Sequence, residues 1–533
     1  MPSSAEVHRN LIQRVNVGDS LTRTAARYPA ALALADGTRR LTYREFNDLV
    51  NRFAAGLAGR GYRRGDALAL ASGNSIEFLV TYYACAKLGV VCVPINLGWR
   101  PDEVGYVLGH SRSRGIVIER QLVPGLAEAV TKQPGVTDVI VAPGTDTDAS
   151  VRSGEIDGAV IFADLLAADA AEPECFVADR DPVSYLYTSG TTSAPKGVVG
   201  NHTSIYLESL SVAVEARFNE TDRFAAMMPM FHTAQINCHC SAAVMVGAAL
   251  FIERGFDPGR LLALIETEKI TQIFGLPMMY RAMLDHPDID RRDLSSLRRA
   301  MYAMATMPEA QLRRCLERFG CDFYLLFGQT EMSPTATLFR PEHQLSHPGA
   351  VGTPVVNVQT AIMDADGTLL PAGEDGEIVY RGPHTLTGYL DNAEATDAAF
   401  EHGWFHSGDI GHFDADGILW FTDRRKDVIK TGGENVASIE VEKAIYATDD
   451  NIAEAVAIGL PHERWTEAIT AFIVPVPGAR VEADEVLRRV KERLAAFKVP
   501  KAVVIVGELP KTSTGKIQKN VLRDGYARYY DSP

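Results

Sequence analysis

Along most of this chain the apolar positions switch between two periods. In "LTYREFNDLVNRFAAGLAGRG" (41–61) they recur at helical spacing and the stretch ends in glycines, which predicts a helix. "DALALAS" (66–72) predicts a short buried strand. The apolar stretch 78–99 is interrupted by Lys87, Gly89, Pro94 and Asn96. It reads as a buried helix followed by a buried strand, because a membrane-spanning helix takes about 20 uninterrupted apolar residues. Helices and strands taking turns in this way predict α/β layers with parallel strands. The polar, glycine-bearing segment 142–160 predicts a surface loop, and no internal repeat is found.

The pattern changes near residue 424. A strand-like "ILWF" ends at 421, and "FTDRRKDVIKTGGENV" (421–436) brings a dense run of charge and two glycines that allow unusual backbone angles. Beyond it lie "AEAVAIGLP" (453–461), "EAITAFIVPV" (467–476), an amphipathic helix at 483–498 and a last strand at 502–510. These make an α+β unit of about a hundred residues, a size at which a domain folds by itself. The expected division is therefore a large N-terminal domain over 1–423, a hinge at 424–427 and a small C-terminal domain over 428–533.

Length agrees: 533 residues exceed one comfortable hydrophobic core. The net charge of -15 argues against a nucleic-acid partner, which needs a basic face, but leaves room for a small anionic substrate met by local positive charge. The opening "MPSSAEVHRN" lacks the basic-then-apolar order of a secretory signal, and seven cysteines form no regular framework. Both point to a reducing, cytoplasmic setting. A homodimer is left open.

Candidate chemistry begins with "YTSGTTSAPKG" (187–197). Small residues let an anion approach converging backbone N–H groups, hydroxyls add donors, and Lys196 adds charge. It is not a Walker A loop, since Pro195 precedes the lysine and Gly197 follows it. A solvated linker is the competing reading. "YLLFGQTEMSP" (324–334) sets Thr330 and Glu331 on a turn after an apolar, aromatic strand, where a carboxylate can serve Mg²⁺ beside substrate phosphates or can simply be solvated. "GWFHSGDIGHFDADG" (403–417) puts Asp409 in a glycine-flanked turn, as an acceptor for sugar hydroxyls or as a turn former. "LPKTSTGKIQKN" (509–520) is a second small-residue loop with a lysine, Lys516, in the other domain.

In this order and spacing, "YTSGTTSAPKG", "YLLFGQTE", "WFHSGDI", "DRRKDVIKTGGEN" and "PKTSTGKIQK" resemble the ANL superfamily of adenylate-forming enzymes, over nearly the whole chain. A finer resemblance, to bacterial crotonobetaine/carnitine-CoA ligase-type acyl-CoA ligases, is carried by residues 228–250 and 275–284. The resemblance implies an AMP-forming acyl-CoA ligase with ATP, Mg²⁺ and coenzyme A. A carboxylate attacks the α-phosphorus of ATP to give an acyl-adenylate and pyrophosphate; a thiol then takes the acyl group and AMP leaves.

It also implies roles. Thr188, Ser189, Gly190, Thr191, Thr192 and Lys196 would hold the phosphates, with Thr330 beside them and Glu331 on Mg²⁺. Phe327 would stack on adenine, with Gly328, Gln329 and the segment Ala305, Thr306, Met307 alongside. Asp409 and Arg424 would hold the ribose, Lys516 would bridge the substrate carboxylate and the α-phosphate, and Lys426 would be the hinge. His232 would stand at the mouth of an acyl pocket lined by Asn237, Tyr302, Met304 and Gly328; a satisfied histidine near a helix start is the alternative.

Where many relatives carry Gly-Gly-Ala, this chain has "MYAMATM" (301–307), either a reshaped, deformable pocket wall or methionines of an ordinary core. With no acidic cluster in the pocket segments, an apolar and bulky acid is expected rather than carnitine. "CHC" (238–240) has no second Cys/His pair at zinc spacing, and "GRGYRRG" (59–65) does not fit a nucleotide loop and reads as a turn. Two rival functions stand beside the ligase: a stand-alone adenylating enzyme that loads a carrier protein, and a nucleotide-binding homologue without catalysis. No Asp occupies 231–237 to meet an amino-acid amine, and Lys516, Glu331 and Asp409 are all present.

Overall fold

The helix read from the first periodic stretch runs Tyr43–Gly59 and starts where its sequence dictates. Thr42 and Glu45 form a reciprocal capping box, each side chain taking the other's backbone N–H. In the interrupted stretch the helix Ile76–Leu88 is capped by Ser75, buried along its whole length, and ended by Gly89 at φ +69°. Lys87 is tolerated there because its ammonium meets Asn47, Asn51 and Glu172, each at 2.7 Å. The computed structural model describes residues 2–37, 39–144, 156–188, 195–305, 307–512 and 516–531. The surface loop expected at 142–160 therefore lies mostly outside the described residues.

Two compact units emerge, and they do not part at a single cut. The first comprises 1–348, 352–359 and 381–401; the second comprises 349–351, 360–380 and 402–533. The second thus takes in a sheet that precedes residue 424, because Leu419–Arg424 pairs along Phe405–Phe413 and cannot be separated from it.

The first unit is built on two sheets. The seven-stranded one runs in the order Val160–Ile161, Asp138–Ala142, Ser113–Glu119, Ala67–Ala71, Val91–Pro94, Pro182–Thr188, Lys196–Asn201. Its pairs are parallel except the last, an antiparallel edge hairpin. Ala67–Ala71 and Val91–Pro94 are fully buried, as central parallel strands covered on both faces must be. In the nine-stranded sheet, Asp322–Gly328, Arg299–Ala303, Gln272–Gly275, Arg223–Ala226, Ala249–Ile252 and Leu32–Ala35 run parallel in that order. Antiparallel strands close both edges.

The second unit holds a four-stranded sheet, Gln359–Met363, Gly376–Arg381, Phe405–Phe413 and Leu419–Arg424, and a five-stranded one. In the latter, Ile452–His462 and Thr466–Pro475 form a long antiparallel pair. Ala502–Ile505 adds in parallel, and Ile429–Thr431 with Glu434–Val436 makes a hairpin turned by Gly432 and Gly433 at φ +61° and +88°. The expected helix at 483–498 ends at Lys491, because its apolar stripe is complete with Val486 and Val490; Leu494 joins the same core from the turn that follows. The last strand likewise stops at Ile505 rather than 510.

Candidate active site

Parallel α/β sheets present ligands at the carboxyl ends of their strands, and the first group of expected residues collects there. Thr188 ends one strand of the edge hairpin, Lys196 starts the other, and the two sit opposite each other in register. They are the stem of the small-residue loop; Ser189, Gly190, Thr191 and Thr192 lie outside the described residues.

In the second sheet the strands Arg299–Ala303 and Asp322–Gly328 are parallel neighbours, with Tyr302 beside Leu325 and Ala303 beside Leu326. Their register therefore brings Met304, the first residue past one strand, out beside Phe327 near the end of the other. Gly328 has φ +154°, and a Cβ there would be driven into the carbonyl of Pro334, so only glycine fits the turn. The Gln329 N–H reaches that same carbonyl at 2.9 Å, while its side-chain Nε2 is buried with no partner in the protein. Thr330 and Glu331 follow in a 3₁₀ turn, both half-buried.

The residue that ties these parts together is one the sequence reading missed. Residues 386–390 cross between the two sheets: Leu386 N–H donates to the Glu331 carbonyl (2.7 Å), while Thr387 and Leu390 N–H donate to Val199 and Gly197 on the hairpin (2.9 and 2.8 Å). From this crossing the Tyr389 hydroxyl donates to Glu331 Oε1 at 3.0 Å, and the Tyr389 ring centroid lies 5.1 Å from Lys196 Nζ. The hint in the sequence was a Gly-Tyr pair inside the polar "TLTGYLDN" (385–392), too weak to single out. Among the described residues no ion pair joins Lys196 or another cation to Glu331. An unneutralised carboxylate with one oxygen held is a donor set that fits Mg²⁺, which takes one or two carboxylates together with substrate phosphates.

The residues of the acyl-pocket expectation divide. His232 is half-buried just before the wide-turned helix Ala234–Ser241, its Nδ1 accepting the Ala234 N–H at 3.3 Å. Met304, at φ +69°, is exposed, as is Ala305; Met307 is buried and Thr306 lies outside the described residues. Met301 is core. Tyr302 is buried and its hydroxyl is taken by Gln344 Oε1 at 2.7 Å. Asn237 is buried with its amide used by the Tyr82 hydroxyl and Thr233 Oγ1, both at 2.9 Å. In both, the buried polar atoms already hold hydrogen bonds within the protein. In "CHC", His239 lies between Phe224 and Phe274, and burial pushes its pKa down to about 3.

The second group belongs to the other unit. Asp409 does not sit in a turn as expected but within the strand Phe405–Phe413, buried, directly opposite Arg424. Gly408 at φ +73° and a register shift after Ile410 bulge that strand, which is what its glycines serve. The Arg424 guanidinium lies 3.6 Å from Asp409 Oδ1. Glu377, not foreseen, braces the bulge by accepting the Gly408 N–H at 2.8 Å and pairing with Arg425 at 3.3 Å and His406 at 3.1 Å. Nothing in its sequence surroundings marks it out.

Lys516 is held at the neck of its loop: its carbonyl accepts the Thr512 N–H (2.8 Å), its own N–H bonds Thr512 Oγ1 (3.1 Å), and Lys511 bridges to Ile517. The residue is exposed, yet the atoms packed around its ammonium lower its pKa to about 7. Arg424 and Lys426 push it down further, and Asp409 and Asp427 partly offset them. Burial and the Arg424 charge lower Lys426 as well.

A family described as AMP-binding enzyme matches residues 21–390, and its C-terminal domain matches 440–516. A feruloyl-CoA synthase of an Amycolatopsis species is 34% identical over 95% of this chain and 98% of its own. A long-chain-fatty-acid–CoA ligase of Mycobacterium tuberculosis is 34% identical over 96% and 99%. Among solved structures, ATP-bound MatB from Rhodopseudomonas palustris superposes with a TM-score of 0.88 at 28% identity, covering 97% of this chain and 100% of that one. The anthranilate CoA ligase AuaEII in complex with anthranoyl-AMP gives 0.87 at 28%, covering 96% and 97%. The chain belongs to the AMP-binding, adenylate-forming enzymes. Within them it is an AMP-forming acyl-CoA synthetase, an acid–thiol ligase that uses ATP, Mg²⁺ and coenzyme A. Among the described residues no helix is long and apolar enough to cross a membrane.

Proposed function

We propose that this enzyme activates an apolar, bulky carboxylic acid. The acid's carboxylate oxygen attacks the α-phosphorus of ATP and pyrophosphate leaves; the thiol sulfur of CoA then attacks the acyl carbonyl, and AMP leaves as the thioester forms. The observation that carries the adenylation chemistry is the meeting of Lys196 and Glu331 on Tyr389, near the buried, unpartnered Gln329 Nε2. An anion must be brought onto a polyanion in the first step, so fixed positive charge and a metal-binding carboxylate are the main physical need.

In this reading Thr188, Lys196 and Thr330 serve the phosphates and Gln329 the nucleotide. Glu331 holds Mg²⁺, which supplies charge neutralisation when bound. Asp409 accepts from the ribose hydroxyls with Arg424 alongside, and Lys516 neutralises charge between the substrate carboxylate and the α-phosphate. His232 stands at the acyl entrance, and Met304 and Met307 give a deformable wall. The acid class is supported by relatives named for feruloyl, indoleacetate and long-chain fatty acyl substrates. The enzyme works in the cytoplasm without a nucleic-acid partner, a setting in keeping with seven free cysteines; sedimentation decides between monomer and homodimer.

A panel of aromatic, branched and straight-chain acids, assayed for ATP-dependent pyrophosphate release with and without CoA, tests this. Release with an apolar acid, followed by thioester formation on free CoA, is the expected result. Activity confined to small polar acids, or acyl transfer only to a carrier protein, would overturn the acid class or the acceptor respectively.

A further inference from the structure

We propose that Tyr389 is a positioning residue for adenylation, holding Glu331 through its hydroxyl and Lys196 through its ring so that neither neutralises the other. The proposal rests on the assignment of Glu331 to Mg²⁺ made above. Lys196 and Glu331 both meet the same tyrosine; were they instead paired to each other, the carboxylate would be a poor metal ligand and the ammonium a poor phosphate ligand. Here the tyrosine takes both: the hydroxyl donates to Oε1 of Glu331 at 3.0 Å, which would orient the carboxylate for a cation, and the ring centroid lies 5.1 Å from the Lys196 ammonium. Its own backbone is pinned so that the side chain cannot drift. Tyr389 bridges to Val198, its N–H donates to Thr396 Oγ1 at 2.9 Å, and a Cβ at neighbouring Gly388 would meet that same threonine. A residue needed only for packing would not have to spend a hydroxyl on a carboxylate.

The two contacts can be removed separately. Tyr389→Phe keeps the ring and loses the hydroxyl. It should raise the Mg²⁺ concentration for half-maximal pyrophosphate release by about 10- to 150-fold, the worth of one hydrogen bond to a charged acceptor. The KM for ATP at saturating Mg²⁺ should stay within about 2-fold. Tyr389→Leu removes the ring as well and should further weaken ATP binding by about 2- to 5-fold, the worth of a half-exposed cation–π contact. Binding of Mn²⁺ to the enzyme–ATP complex, measured by electron paramagnetic resonance, should weaken in Tyr389→Phe in step with the Mg²⁺ requirement and needs no turnover. Thioester formation from supplied acyl-adenylate should be unchanged in both variants.

An unaltered metal requirement in Tyr389→Phe overturns the proposal. So does an equal loss of both half-reactions, which marks a merely structural tyrosine. Glu331→Gln separates the two levels. If it leaves the metal requirement unchanged, the assignment of Glu331 fails; if it raises that requirement while Tyr389→Phe does not, only the role of Tyr389 fails.

Discussion

Lys516 should make adenylation, and not thioester formation, fall off with rising pH near neutrality. A free lysine titrates at 10.5; here desolvation, Arg424 and Lys426 bring the ammonium down to about 7 against the pull of Asp409 and Asp427. The sign follows from which form works. The charged form is needed to meet the carboxylate and the α-phosphate, so activity is full below the lowered pKa and is lost as pH rises through it. Folding responds oppositely: between the two pKa values the unfolded chain binds more protons, so stability rises with pH. With a pKa of about 7, only about one Lys516 in eleven is protonated at pH 8, and each further unit costs about tenfold. The assay is kcat/KM for ATP in pyrophosphate release, which reports the free enzyme, from pH 6 to 9.5. Bound ATP restores anionic neighbours, so the limb in kcat should lie higher. Lys516→Arg, which stays charged across this range, should flatten the limb at reduced amplitude. A limb near 10, or the same limb persisting in Lys516→Arg, would refute the reasoning.

Glu331→Gln should keep the fold and raise the Mg²⁺ needed for pyrophosphate release, since an amide lacks the carboxylate's charge; circular dichroism and a metal titration check both. Gly328→Ala asks a β-carbon to occupy the space of the Pro334 carbonyl at φ +154°. It should cost on the order of 1–3 kcal/mol in denaturant unfolding and depress adenylation, and a cost below about 0.5 kcal/mol would contradict the strain. Lys426→Pro locks φ at the proposed hinge and should impair one half-reaction more than the other; equal losses in a folded variant would remove the hinge.

Much of this was open to a reader of the sequence, and the exceptions are instructive. The helix Tyr43–Gly59 and the buried strand Ala67–Ala71 follow from period and caps that are local. Glu331 and Lys516 were singled out because their segments carry recognisable small-residue patterns. Tyr389 and Glu377 were not, because their meaning comes only from partners far along the chain, 58 residues away at Glu331 and 31 at Gly408. Asp409 was taken for a turn residue since its glycines look like turn glycines; a bulged strand uses glycine for the same backbone reason. The tertiary hydrogen bonds of Asn237 and Tyr302, to Tyr82 and Gln344, were equally illegible, because their partners lie far along the chain. The grouping of the chain by contacts differs from the expected division for a related reason: the pairing of Leu419–Arg424 with the strand before it leaves no mark in local composition.

The central claim is that two chemical steps share one enzyme and that Lys516 acts only in the first. Single-turnover measurement of both half-reactions in Lys516→Ala tests it directly. Adenylate formation from acid and ATP should slow by roughly 100- to 1,000-fold, the range for losing one strong electrostatic contact to a transition state. Thioester formation from supplied acyl-adenylate and CoA should stay within a few-fold of the unaltered enzyme. If both half-reactions fall alike while the protein remains folded, or if neither moves, Lys516 does not do what its position beside Asp409 and Arg424 implies.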